Sequence, residues 1–195
     1  MTTKTERTRQ KQRTRDAILD GARKLMARDQ PVTVAAAAAE HGISRATAYR
    51  YFSDPQALTV EAGLAPLVPP YAEVVKGTTD LRARLLAVVA AMMRLALENE
   101  GAFRQFLAHA VALPAERRSR GARRVVYLEQ AIDDLAPDLP PRLRKELTAS
   151  LSVLAGIEAL VALTDVARLP KAQVPGTVMR MAEAVIDRHL TERRA

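Results

Sequence analysis

Signals that end one helix and start the next follow one another closely near the front of this sequence, and they constrain the fold more than any other feature. An amphipathic helix is predicted over roughly residues 12–28, and it ends before Pro31 because proline cannot continue it. Gly42 suits the left-handed turn that ends a second helix. Three residues can cap new helices: Thr33, Ser44 and Asp54. The helices predicted after these caps span about residues 34–40, 45–51 and 55–65.

The rest of the chain also has helical periodicity, and no strand-like alternation of useful length is present in the sequence. The helices predicted there span residues 81–98, 102–113, 117–135, 143–169 and 173–192. The first of them is apolar on almost every face between Leu85 and Met93, so we expect it at the buried centre of its domain. The predicted fold is therefore all-α with about nine helices.

Prolines suggest where the chain divides. Pro66, Pro69 and Pro70 interrupt the helical pattern, and they place a domain boundary at about residues 66–78. We therefore expect an N-terminal domain over residues 1–65 and a C-terminal domain over residues 66–195.

The composition excludes several classes of protein. The chain has no cysteine, which excludes disulfides and thiolate metal ligands. Its longest stretch without a charged side chain is eleven residues, too short to span a membrane. The polar start of the sequence contains no apolar segment of a secretory signal. We expect a cytoplasmic protein without a membrane partner.

Positive charge is concentrated at the front of the chain. The net charge is +8; residues 1–56 hold 11 Lys and Arg against 6 Asp and Glu, giving +5, and the other residues hold 19 against 16, giving +3. This imbalance favours a polyanionic partner for the front of the chain. Lys4 to Arg15 form a basic arm, and we expect its start, with Lys4, Arg7 and Arg9, to be disordered without that partner. On charge alone, a solvated tail remains an alternative.

The third predicted helix carries side chains suited to contact DNA. A tight glycine turn between two short helices is typical of a helix-turn-helix, whose second helix lies in the major groove. Arg45 can donate to a guanine or a phosphate, Ala46 is small enough for close approach, and Thr47 offers a hydroxyl and a methyl group. Phosphate contacts are expected from Tyr49, Arg50 and Tyr51. Phe52 is expected to anchor the helix in the core.

These residues resemble the DNA-binding part of TetR-family transcriptional repressors. The matching positions are Thr33 through Ala38, Gly42-Ile43-Ser44, Thr47, Tyr49-Arg50-Tyr51-Phe52 and Leu58. The resemblance covers about residues 12–60, and the rest is similar in length, in helix pattern and in the phrase GIEALVALTDVARLP. It implies an N-terminal three-helix helix-turn-helix domain and a C-terminal helical domain for ligand binding and dimerisation. Such a repressor binds a palindromic operator as a dimer and is released by a small molecule.

The sequence departs from the family pattern at three positions. Pro55 stands where the family usually has a phosphate-binding lysine, so that contact is lost or passes to Gln56. Ala37 replaces a bulkier apolar residue and His41 a small one, so packing of the second helix is expected to differ. The predicted DNA contacts are Thr33, Ser44, Arg45, Ala46, Thr47, Tyr49, Arg50, Tyr51 and Gln56.

A ligand site is expected inside the C-terminal domain. Thioethers, aromatic rings and a few polar tips suit an apolar small molecule; the candidates are Val89, Met92, Met93, Phe103, Phe106, His109 and Tyr127. No acidic residue lies in the middle of the predicted helices 81–98 and 102–113, which favours a neutral ligand over a cation. Core packing is the alternative for each residue.

A homodimer interface is expected on the last two long helices. Two apolar stripes contain small residues that allow close helix approach: Leu151, Leu154, Ala155, Ala159 and Ala162 on one, and Val178, Met181, Ala182, Val185 and Ile186 on the other. A two-fold dimer would present two recognition helices to a palindromic site. The alternative is that both stripes pack inside one subunit.

Two other classes of function have less support. An enzyme would need a catalytic motif, and the sequence has no nucleophile elbow, P-loop or productive carboxylate pair. His41, His109 and His189 are too far apart for a local metal motif, so no metal and no cofactor are expected. A peripheral membrane or scaffold protein would need large apolar residues in the basic arm. The cluster Arg117–Arg124 is either a second nucleic-acid patch or a solvated helix start.

Overall fold

The protein is all-α, as predicted. Its computed structural model describes residues 4–112 and 123–192, with the side chains of residues 4–9 and of His109 left out. Eleven α-helices and no strand occur in these residues. In chain order the helices are α1 (Lys4–Ala27), α2 (Val34–Ala39), α3 (Arg45–Tyr49), α4 (Pro55–Leu64), α5 (Tyr71–Val74), α6 (Leu81–Glu98), α7 (Glu100–Ala112), α8 (Arg123–Leu135), α9 (Pro141–Leu154), α10 (Ile157–Val161) and α11 (Val174–Glu192).

The helix count exceeds the predicted nine for two reasons. The proline-rich segment after α4 contains the short helix α5, and the helix predicted over residues 143–169 is divided. Gly156 adopts an extended backbone between α9 and α10, and a Cβ there would lie 1.8 Å from Nη1 of Arg124. The guanidinium of Arg124 thus occupies the space that a side chain at residue 156 would need. After α10 the chain forms a short π-helix over Ala162–Val166.

The first helix begins at Lys4, well before the predicted start near residue 12. Lys, Glu, Arg and Gln dominate its early turns, and all four are good helix formers. The side-chain amide of Gln12 donates to Asp16 at 3.0 Å, which supports the next turn. The backbone from Lys4 onward is helical, and the disorder of the arm without a partner stays a prediction. The side chains of Lys4, Arg7 and Arg9 lie outside the described residues.

The described chain divides into two compact units. The first comprises residues 4–67 and 105–112, and the second comprises residues 68–104 and 123–192. The sequence assigned residues 105–112 to the C-terminal domain, whereas the structure groups them with the first unit. Helix α7 therefore supplies residues to both units, which the position of the prolines gave no means to foresee.

Apolar residues from α1 to α4 form the core of the first unit. The buried members are Ile18, Leu19, Ala22, Leu25, Val34, Ala37, Ala38, Ala48, Phe52, Leu58, Ala62 and Ala65. Phe52 is only 3% exposed, which confirms its predicted role as an anchor. Gly21 brings α1 close to α2, because a Cβ on Gly21 would lie 2.0 Å from the carbonyl oxygen of Ala37. The main chain of Ala37 thus belongs to a tight contact between two helices.

Helix α6 is the buried centre of the second unit, as predicted. It packs against α8, α9, α10 and α11. Its buried residues are Leu81, Leu85, Val88, Val89, Met92, Met93, Leu95 and Ala96. Burying each large apolar side chain contributes about 1.5–3 kcal/mol, so this helix dominates the packing of the unit. At the surface, Arg82 of α6 donates to Asp187 of α11 at 2.8 Å.

Candidate nucleic-acid interface

Side-chain caps define the start of the helices around the candidate site. The hydroxyl of Thr33 accepts from the amide of Ala36 at 3.0 Å, and that of Ser44 accepts from the amide of Thr47 at 3.2 Å. Between these caps, Gly42 has a φ of +65°, the left-handed conformation that favours glycine. The chain therefore leaves α2 and enters α3 through a short turn.

Helix α3 has one buried and one exposed face. Ala48 is completely buried in the core of the first unit. Arg45, Ala46 and Arg50 are exposed, and Tyr49 is 41% exposed, a large fraction for an aromatic residue. The guanidinium carbon of Arg45 lies 5.5 Å from the centre of the Tyr49 ring, within the range of a cation–π contact. Four predicted contact residues are thus available at one surface.

The other predicted contacts are less uniform. Thr47 is half-buried, and its hydroxyl accepts from that of Ser44 at 3.0 Å. Tyr51 is also half-buried and packs against the core of the first unit. Thr33 and Ser44 are exposed while their hydroxyls cap helices, and Gln56 is exposed in the first turn of α4. Tyr51 therefore contributes to packing as well as to the surface.

Arg15 lies behind α3 and is 7% exposed. Its Nε and Nη2 donate to the two carboxylate oxygens of Glu61 at 3.0 and 2.6 Å. Its Nη1 donates to the carbonyl oxygen of Tyr51 at 3.3 Å, and its Cζ lies 4.2 Å from the centre of the Phe52 ring. The sequence placed Arg15 in the basic arm. Its spacing from Ile18, on the buried face of α1, was the signal that could have identified it as a core-facing residue.

A polar cluster joins α1 to the end of α2. The carboxylate of Asp20 lies 3.0 Å from Nζ of Lys24 and 2.9 Å from Nε2 of His41. Hydrogen bonding from Lys24, followed by weaker bonds from His41 and Arg23, lowers the pKa of Asp20 to about 2. His41, which departs from the family pattern, thus ties the turn before α3 to α1.

The predicted ligand residues do not share one environment. Val89, Met92, Met93 and Phe106 are buried, whereas Phe103 and Tyr127 are half-buried. The hydroxyl of Tyr127 donates to the carbonyl oxygen of Pro69 at 3.0 Å, and its ring meets that of Tyr71 edge-on at 5.4 Å. Tyr127 thus holds the proline-rich segment within the second unit. The side chain of His109 lies outside the described residues, and the ligand site stays a prediction.

The predicted dimer stripes are largely internal to one chain. Seven of the ten residues are buried within it: Leu151, Leu154, Ala155, Ala159, Val178, Ala182 and Ile186. The chain's own helices cover these seven, which favours the alternative that this part of the stripes packs inside one subunit. Met181 and Ala162 are exposed and Val185 is half-buried, so they remain available to a partner. Dimerisation itself stays a prediction.

The basic cluster Arg117–Arg124 lies mostly outside the described residues. Within α8, Arg124 donates two hydrogen bonds to Glu158, each of 2.9 Å. This arginine is therefore engaged in an ion pair within the second unit.

In the described ranges, no single helix is long and apolar enough to cross a bilayer.

Comparisons with known proteins give the chain no relatives. No protein-family model matches it, and no curated protein or solved structure is significantly similar to it. The assignment of a function therefore rests on the residues and their geometry.

Proposed function

We propose that the protein binds double-stranded DNA with sequence selectivity, inserting α3 into the major groove. The observation that carries this proposal is that α3 has one buried face and one exposed, basic face. Ala48 is buried in the core, while Arg45, Ala46, Tyr49 and Arg50 face away from it. The exposed face of α3 thus presents a phenol beside two guanidinium groups, side chains that commonly donate to phosphates and base edges.

The chemistry of the exposed face suits base and phosphate contacts. An arginine near the start of a recognition helix can make a bidentate contact with guanine O6 and N7. Tyr49 and Arg50 can donate to phosphates, which would fix the helix in register. The net charge of +5 over residues 1–56 adds a favourable interaction with the DNA backbone that does not depend on sequence.

The resemblance to TetR-family repressors supplies the finer form of the proposal. In this form the first unit is a helix-turn-helix domain, and the helical remainder binds an apolar effector and forms a homodimer. Effector binding then releases a palindromic operator. Coupling of about 1–3 kcal/mol between the two ligands would change operator affinity roughly 5–150-fold.

Selection from random-sequence duplexes followed by titration tests the proposal. Wild-type protein should enrich one sequence and bind it more tightly than an unselected duplex. Arg45→Ala should weaken binding to the selected duplex by about 1–3 kcal/mol if the contact is bidentate to guanine. Arg94→Ala is the matched control, since Arg94 is an exposed arginine of α6 and its loss changes the net charge equally. Equal affinity of Arg45→Ala and Arg94→Ala for the selected duplex would exclude α3 as the helix that recognises the base sequence.

A further inference from the structure

The guanidinium of Arg15 joins three parts of the first unit at one point. It belongs to α1, it donates to both carboxylate oxygens of Glu61 in α4, and it donates to the carbonyl oxygen of Tyr51 just past the end of α3. It also covers the ring of Phe52. All four of its contacts use different atoms or faces, so the position of this group is strongly defined.

Burial separates Arg15 from the other basic residues of α1. The side chains of Arg15 and Glu61 are 9% and 15% exposed, whereas Lys11 and Arg13 are exposed. Three of the five N–H donors of this guanidinium are already engaged within the unit, and little of the side chain is exposed to a phosphate. A partly buried ion pair is also sensitive to loss of either partner, because the remaining charge is left uncompensated.

Helix α3 needs such external support. It spans five residues, and a helix of that length is unstable in isolation. Ala48 supplies only a small apolar contact, so the position of α3 depends on α2, which packs against it, and also on the residues that follow it. Those residues, Tyr51 and Phe52, are the ones that Arg15 contacts.

We infer that Arg15 and Glu61 are positioning residues for DNA recognition: they fix α3 against α1 and α4 and control selective affinity without contacting DNA. This inference rests on the proposed function. It assigns Arg15 a role opposite to that of an arm residue, because its charge is neutralised inside the protein. Glu61 becomes a residue whose negative charge favours binding to a negatively charged polymer.

Glu61→Gln gives an effect whose direction separates positioning from charge. The substitution makes the protein more positive by one charge, so electrostatics alone would strengthen binding to any duplex. Loss of positioning should instead weaken binding to the selected duplex about tenfold, equivalent to about 1.4 kcal/mol, with binding to an unselected duplex unchanged or stronger. Glu40→Gln is the control, because Glu40 pairs with Arg28, just past the end of α1, at 2.5 Å and its substitution changes the charge equally.

The salt dependence of binding provides the second measurement. An arginine that contacts a phosphate contributes about 0.9 to the slope of log affinity against log salt concentration. Arg15→Gln should therefore weaken selective binding while leaving this slope unchanged. Circular dichroism establishes that each variant keeps its helical signal. If Arg15→Gln loses this signal, Arg15→Lys is measured in its place. Arg15→Lys keeps the charge, and it should lose selective affinity in the same way.

The outcomes distinguish failure of the proposed DNA binding from failure of the positioning role of Arg15 and Glu61. If wild-type protein enriches no sequence, the proposed function fails and the inference fails with it. If wild type is selective but Glu61→Gln binds the selected duplex as tightly as Glu40→Gln does, only the inference is overturned. A slope reduced by about 0.9 in Arg15→Gln would likewise overturn it, because Arg15 would then contact the DNA backbone.

Discussion

Gly21 of α1 faces the main chain of Ala37 in α2 so closely that a Cβ on Gly21 would lie 2.0 Å from the Ala37 carbonyl oxygen. The obstacle is backbone, which cannot rotate out of the way as a side chain can. The same Cβ would lie 3.1 Å from Cβ of Glu40. Helices α1 and α2 therefore meet at a distance that only glycine permits at this position.

Gly21→Ala should destabilise the first unit by about 1–3 kcal/mol, because the two helices must separate to admit one methyl group. Gly63→Ala is the control: Gly63 lies in α4, and apart from its chain neighbours and the backbone of its own helix no atom of the described residues lies within 4 Å of a Cβ placed there. That change should stabilise the protein by about 0.5 kcal/mol through helix propensity. Urea unfolding followed by circular dichroism measures both. A neutral Gly21→Ala would mean that α1 and α2 do not pack this closely.

Thr148→Val should raise the free energy of unfolding by about 1 kcal/mol. Thr148 of α9 is 7% exposed, and its buried hydroxyl oxygen has no hydrogen-bond partner among the residues that the structure describes. Valine keeps the shape and removes the unsatisfied group. In contrast, Thr164→Val should be destabilising, since the hydroxyl of Thr164 donates to the carbonyl oxygen of Leu160 at 2.8 Å. Thermal unfolding of the two variants provides the comparison, and a loss of stability in Thr148→Val would contradict the assignment.

Tyr71 should titrate well above the range expected for an ordinary phenol. Partial burial and the hydrogen bond to Asp134 raise its pKa from 10.0 to about 12. Above pH 10 the unfolded chain loses this proton first, so the contribution of Tyr71 to stability is fully present below pH 10 and is lost as pH rises towards 12. The tyrosinate absorbance of wild type minus that of Tyr71→Phe isolates this titration. Asp134→Asn should lower the midpoint, and a wild-type midpoint near 10 would exclude the proposed environment.

How far the sequence predicts the fold depends on whether the signal is local. The bounds of α6 were predicted correctly because its apolar pattern lies within the segment itself, and the structure adds a cap from the neighbouring residue Asp80. The caps Thr33, Ser44 and Asp54 each accept a hydrogen bond from an amide three residues later, which is also a local interaction.

The parts that the sequence did not predict depend on residues far apart in the chain. Arg15 pairs with Glu61, and Arg124 fills the space at Gly156, and neither relationship leaves a pattern in the intervening residues. The apolar stripes of α9 and α11 pose a related difficulty. A stripe shows that a face is buried, but it does not show whether the covering helix belongs to the same chain or to a second copy.

The dimer prediction can now be restricted to residues with exposed surface. Met181 of α11 is 44% exposed, whereas Leu154 is 7% exposed. Met181→Glu should therefore leave the chain folded and convert a dimer into a monomer, because it places charge in the interface without entering the core. Leu154→Glu should instead unfold the second unit, since it buries an unpaired carboxylate. Light scattering coupled to size-exclusion chromatography gives the mass, and circular dichroism gives the helical content. A Met181→Glu protein that stays dimeric would place the interface away from this part of α11. A monomeric wild type would contradict the proposal that a two-fold dimer binds a palindromic site.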